Sequence, residues 1–167
     1  MDKVGLSEKV IEELKRRNLW EQDEDEKEES EETEDEEESN DEPNDTNEGF
    51  CEMVCQMLHS QIQVHIFHLG TKSYAEHKAL QGYYESIDGI VDGIIESYQG
   101  QYGLLTNYKS YKNQSYKNKK QVLKYFMGLL DTIDEKRESV DDSYLQNQID
   151  NVEELIYSTM YKLRFLN

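Results

Sequence analysis

One proline in 167 residues leaves this chain almost nothing that breaks a helix. It is Pro43, and everything from Gly49 to the C-terminus is proline-free. Proline deletes a backbone donor and its ring clashes with the preceding turn, so the rest of the chain is free to be helical. Cysteine is nearly absent as well. Cys51 and Cys55, one helical turn apart, make neither a disulfide framework nor a four-ligand zinc pattern. They read as free thiols of a reducing compartment packed as small core hydrophobes, with a weak metal or redox role as the alternative. No apolar run approaches the roughly 20 residues that span a bilayer. Residues 1–20 lack the apolar centre and small-residue cleavage site of a secretory signal. These absences point to a cytoplasmic helical protein and away from a secreted or membrane-spanning one.

Positive charge is what the next segment lacks. Residues 21–48 hold eighteen Asp or Glu against one lysine, so they carry −17 of the chain's −19 and the remainder is nearly neutral. A run of like charge with nothing apolar to bury repels itself, and residues 21–48 are expected to form a disordered acidic linker. Such a segment repels phosphate, which disfavours DNA binding through it. It separates residues 1–20 from a folded unit at 49–167. In the first piece Ser7 is a plausible cap, and Leu6, Val10, Ile11, Leu14 and Leu19 fall near one face, closed by Trp20. Too short to be stable alone, this amphipathic helix either folds on its own domain or is a docking motif for a protein partner.

From residue 49 the spacing predicts four helices and no strand. They run over about 50–70, ending at Gly70; about 74–99, ending at Gly100; about 116–137 after a connection; and from Asp141 or Asp142 to about 165. Four helices of similar length make an all-α four-helix bundle. The second helix divides into three stripes. Leu80, Tyr83, Ile87, Ile90, Ile94 and Tyr98 form an apolar face that enters the core. Gly82, Ser86, Gly89, Gly93 and Ser97 form a small-residue stripe. Each glycine weakens a helix by about 1 kcal/mol relative to alanine, a loss that close approach of another helix would offset. His77, Gln81, Glu85, Asp88, Asp92 and Glu96 form a polar, mostly acidic stripe. It is either a solvated face or a cation site. Asp88, Asp92 and Glu96 repeat at the i, i+4 spacing where like charges destabilise a helix. No basic residue on the stripe relieves them, and bound cations would. His65 and His68 lie on the first helix and His77 opens the second. Imidazole together with carboxylate is a usual ligand set for iron, manganese or zinc.

His65, Gly70, His77, Asp92 and Glu96 stand at successive intervals of five, seven, fifteen and four residues. That register resembles the metal-site region of the Dps family, the ferritin-like mini-ferritins. The final run DDSYLQNQIDNVEELIYSTMYKLRFLN is similar to the family's last helix. The resemblance covers roughly residues 50–167 and implies a ferritin-like four-helix bundle. It also implies a ferroxidase site between two subunits related by a two-fold axis, with His65 and His77 from one chain and Asp92 and Glu96 from its partner. His65, Asp92 and Glu96 would hold the primary iron and His77 the second. Ferrous iron would be oxidised by peroxide or oxygen and sequestered as ferric iron in a homo-oligomer, up to a twelve-subunit shell. Abbreviated members of this kind also occur in large DNA phages and viruses.

Three departures bear on that expectation. Gln81 stands where the family carries an aspartate, and a neutral oxygen ligand binds iron more weakly than a carboxylate. The second iron position is then poor unless Glu85 reaches it. Ile66 replaces the family's tryptophan. The tail is acidic where many members carry lysines. The alternative is therefore a non-catalytic ferritin-like structural or interaction protein with an incomplete metal centre. A third reading makes the acidic tail the active part, as a binder of basic partners. The connection NYKSYKNQSYKNKK, residues 107–120, carries five lysines, three tyrosines and no acid. It is either a solvated loop that partners the acidic tail or a surface for single-stranded nucleic acid.

Overall fold

The structure, a computed structural model, describes residues 45–166. Every regular element among them is helical: α1 (Asp45–Gly70), α2 (Tyr74–Tyr102), α3 (Lys119–Lys136) and α4 (Ser143–Phe165), with a 3-10 turn at Arg137–Ser139 before α4. The amphipathic helix expected at 6–20 and the acidic linker up to residue 44 lie outside the described residues. Among the described residues no helix is long and apolar enough to cross a membrane.

Helix ends follow local chemistry. Ser73 caps α2 by accepting the Glu76 amide at 3.3 Å, and Asn118 caps α3 by accepting the Gln121 amide at 2.9 Å. Asp142 stands at the cap position of α4, as expected. Three boundaries differ from the sequence reading, and one is the start of α3, which lies at Lys119 rather than near 116 because Asn118 caps it. Helix α1 begins at Asp45, inside the segment assigned to the linker. Helix α2 runs through Gly100 and stops at Gly103, whose φ of 91° is the left-handed conformation that favours glycine. Gly100 has no such turn to make and is simply a helical residue.

The principal packing pairs are α1–α2, α2–α4, α4–α3 and α3–α1, so the four helices surround one core. Phe50, Met57 and Phe67 of α1 meet Leu80, Tyr83 and Ile94 of α2, Phe126 and Ile133 of α3, and Leu145 and Ile149 of α4, all without exposed surface. Of the apolar face read for α2, every member is buried except Ile90, which is partly covered. Tyr83 lies wholly inside, and its hydroxyl pairs with Ser60 Oγ at 2.8 Å. That bond satisfies a polar group in a dry site, and burial holds the phenol well above its ordinary pKa.

The two antiparallel joints are short, whereas α2 and α3 are joined by a long crossover, residues 103–118. It climbs the length of α1. Lys109 Nζ pairs with Glu48 Oε1 at 3.0 Å near the start of α1. Its amide donates to Cys55 Sγ at 3.2 Å, Asn113 Oδ1 meets His59 Nε2 at 2.9 Å, and Tyr116 packs on Gly70 at the far end. Midway, buried Gln63 donates to the Gln114 carbonyl at 2.8 Å and accepts its amide at 2.7 Å. That pair of bonds stands in for the ladder an extended strand would need. A Cβ at position 70 would run into Tyr116, so this glycine permits the close approach.

Candidate functional site: a histidine cluster and a distant acidic stripe

The turn between α1 and α2 is three residues long, and it brings His68 and His77 face to face. Their rings stack with centroids 3.6 Å apart and 28° between planes. The side chains are also interlocked. His68 Nδ1 lies 2.9 Å from the His77 carbonyl oxygen, and His77 Nδ1 lies 3.3 Å from the His68 carbonyl oxygen. A carbonyl can only accept, so each Nδ1 must carry the proton, and in the neutral rings each Nε2 keeps its lone pair. His77 thereby caps one of the carbonyls left over at the end of α1. His65, one turn earlier on α1, is exposed and stacks on Tyr84 at 4.2 Å. Its ring centre is 5.7 Å from that of His68, with the planes 58° apart. Tyr84 meets His68 edge-on at 5.1 Å. A shallow pocket of about 250 Å³ lined by Ile62, His65, Ile66, Leu69 and Tyr84 opens beside the cluster.

Glu76 steadies the same corner. It is buried, accepts from Thr71 Oγ1 and Tyr116 Oη at 2.8 Å each, and faces Lys119 at 3.7 Å. Its carboxylate ties the turn, the crossover and the start of α3 together.

Asp92 and Glu96 stand elsewhere. Both are exposed on α2, and at 1.5 Å per residue they lie about 22 and 28 Å along the helix from His77. The structure therefore brings His65 and His77 to the same corner, around His68, and does not bring Asp92 or Glu96 to them within one chain. Among the described residues no three His, Cys, Asp or Glu side chains converge on a metal-sized space. The acidic stripe also has a basic neighbour that its spacing did not reveal. Lys78 Nζ donates to Gln81 Oε1 at 2.6 Å, and Gln81 Nε2 donates to Glu85 Oε1 at 2.7 Å. Gln81 and Glu85 are thus engaged with each other and with an ammonium. The relief extends no further along the helix than Glu85.

The small-residue stripe is open. A Cβ added at Gly82, Gly89 or Gly93 would meet nothing within 4 Å. Among the described residues no helix makes the close approach expected there, and Ser97 of the stripe is reached by Gln148 Nε2 at 3.2 Å. The cysteines are buried with their sulfurs 4.0 Å apart. Burial, and then the neighbouring Cys55, pushes the Cys51 thiol up to about 11, which fits the core reading of the pair. In the crossover, Tyr111 and Tyr116 pack against the core and only Tyr108 is left exposed, which leaves a single ring free for base stacking.

His68, Tyr84 and Lys78 were not singled out as site residues by spacing. His68 carried a signal, three residues after His65 and nine before His77 across a glycine-ended helix. Lys78 lies beside the stripe in sequence, and its flexible stem carries the charge onto it.

Fold and site together define an all-helical protein of four packed helices, with interlocked histidines at one joint and an acidic face along its longest helix. Residues 68–163 match a protein family described as a family of unknown function, DUF5856, and the chain belongs to that family. His68, His77, Asp92 and Glu96 fall inside the matched region, and His65 lies just ahead of it. No curated protein and no solved structure matches the chain.

Proposed function

We propose that this chain is a Dps-like, ferritin-like protein that binds ferrous iron and promotes its oxidation at a site shared by two copies. In this reading His65 and His77 come from one copy and Asp92 and Glu96 from the other. One observation carries it: His65 is exposed and His77 half-buried at one end of α2, Asp92 and Glu96 are exposed further along it, and the length of helix between them keeps the two sets from meeting in one chain. A second copy of α2, antiparallel across a two-fold axis, would unite them. For residue 77 to face residues 92–96, that axis must cross α2 near residue 85, because in such a pairing i meets j and j meets i. The same register sets Gly82 of one copy against Gly89 of the other, which would give the open glycine stripe its close neighbour. The long crossover between α2 and α3 supports the fold part of the reading, since ferritin-like bundles use one such connection.

Iron is the substrate here. Neutral imidazole and ionised carboxylate hold ferrous iron, and carboxylate favours the ferric product. The Lys78–Gln81–Glu85 chain engages Gln81 and Glu85, the residues a second iron would need, so in this reading the site takes one iron per copy. That same chain is what favours the second reading, a ferritin-like structural or interaction protein without catalysis. Titration of the purified protein with ferrous iron, with and without oxygen, tests the choice. Saturable oxidation near one iron per chain, lost in Asp92→Ala with Glu96→Ala, is expected. Oxidation no faster than in buffer would leave the structural reading.

A further inference from the structure

We infer that His65 and His68 form a divalent transition-metal site within a single chain, one that needs neither His77 nor the acidic stripe as ligands. Residues three apart on a helix present their side chains on the same face. Metal–nitrogen bonds of 2.0–2.1 Å at near-tetrahedral angles put two imidazole ring centres about 5 Å apart. The His65 and His68 rings are 5.7 Å apart and tilted by 58°, so a small side-chain rotation brings them onto one ion. The His68 and His77 rings, stacked at 3.6 Å with 28° between planes, are too close and overlap too far to share an ion in the plane of both. The cluster is thus one chelating pair with a third ring stacked behind it.

Second, His68 is already oriented. Its Nδ1–H is held on the His77 carbonyl at 2.9 Å, which leaves Nε2 as the donor. This is the arrangement that fixes a ligating imidazole: the far nitrogen gives its proton to a carbonyl or carboxylate. His65 is held by its stack on Tyr84 at 4.2 Å, and being exposed it leaves the outer coordination positions to water. Two imidazoles and water suit a borderline divalent ion such as zinc, nickel, cobalt or ferrous iron. The site shares His65 with the two-copy site proposed above, takes His68 in place of His77 and the acids, and stands without that site because both of its ligands come from one chain.

Titration of the full chain with cobalt(II), followed by calorimetry and visible absorbance, separates the two sites. The variants are His65→Gln, His68→Asn, His77→Gln and the Asp92→Ala, Glu96→Ala pair. Asparagine at 68 can still donate to the His77 carbonyl while lacking Nε2, so it removes the ligand and spares the turn; the thermal midpoint checks that each variant is folded. The one-chain site predicts at least tenfold weaker binding in His65→Gln and His68→Asn, and less than about threefold change in the other two. Loss in His77→Gln and in the Asp92, Glu96 pair, with His68→Asn unaffected, would overturn it and leave the two-copy site standing. No cobalt binding by the wild-type chain, or equal binding by every variant, would overturn it as well.

Discussion

The two ends of α2 are built in opposite ways. Its N-terminal corner is interlocked. His77 and His68 exchange hydrogen bonds, Glu76 holds Thr71 and Tyr116, and Ser73 caps the helix. Four turns further on, Asp88, Asp92 and Glu96 stand exposed beside glycines with open space in front of them. The first region is arranged by its own chain, so its side chains are in position before any ligand arrives. The second is not satisfied by the described residues of its own chain. Repelling carboxylates and glycines both destabilise a helix, and neither is compensated by anything the described residues place there. A helix packed through its apolar face and, among the described residues, open along its acidic and glycine stripes is what an interface between copies would use.

The contrast can be broken from either side. The largest effect belongs to the acids. Asp92→Ala with Glu96→Ala should reduce iron oxidation to the rate in buffer while the melting temperature moves little, because exposed substitutions usually stay within about 0.5 kcal/mol. A large loss of stability would mean that these acids hold the fold. Next comes the interlocked corner. Gly70→Ala forces a methyl group against Tyr116, and overpacking of this kind costs about 1–3 kcal/mol in chemical denaturation. No change would mean that the crossover can swing away and that the corner is looser than its contacts imply. Gly89→Leu sharpens the other side. In the lone chain the new side chain meets open space and should raise helix stability by somewhat under about 1 kcal/mol. In a two-copy assembly it should block close approach, so sedimentation would record dissociation together with a higher melting temperature of the single chain.

The smallest effect is one of pH. The Cys51 thiol is raised from 9.0 to about 11, burial being the first cause. A raised acid is protonated in the folded state where the unfolded chain has already lost its proton. The contribution is therefore complete below pH 9 and is lost as pH climbs towards 11. Alkylation of the native protein at pH 8 should be slow at Cys51 and fast once the chain is unfolded. Rapid native alkylation would contradict the buried position.

Much of this was legible in residue spacing. The apolar face Leu80, Tyr83, Ile87, Ile94 and Tyr98 is read from the helical period because burial of a stripe is what the period encodes; Asp142 marks the start of α4 as expected, although its carboxylate accepts from Gln101 and Tyr102 and does not cap the helix. What escaped depends on tertiary geometry. Gly100 and Gly103 are both glycines near a helix end, and only the path of the crossover decides which one turns. Gln63 has no pattern that marks it, yet it fastens the crossover through two bonds to Gln114. His68 was visible as a histidine, but its stack on His77 depends on a three-residue turn whose direction spacing does not fix. The glycine stripe is legible from the helical period, whereas among the described residues nothing lies against Gly82, Gly89 or Gly93, because the period gives a stripe and not its packing partner.

Complementation between two defective chains tests the shared site most directly. One chain carries His65→Gln with His77→Gln and the other carries Asp92→Ala with Glu96→Ala, and each alone should be inactive in iron oxidation. A mixed pair joins one intact histidine set to one intact acid set. Co-assembly in equal amounts should therefore restore about a quarter of wild-type activity. A mixture as inactive as its components would contradict a site built from two copies.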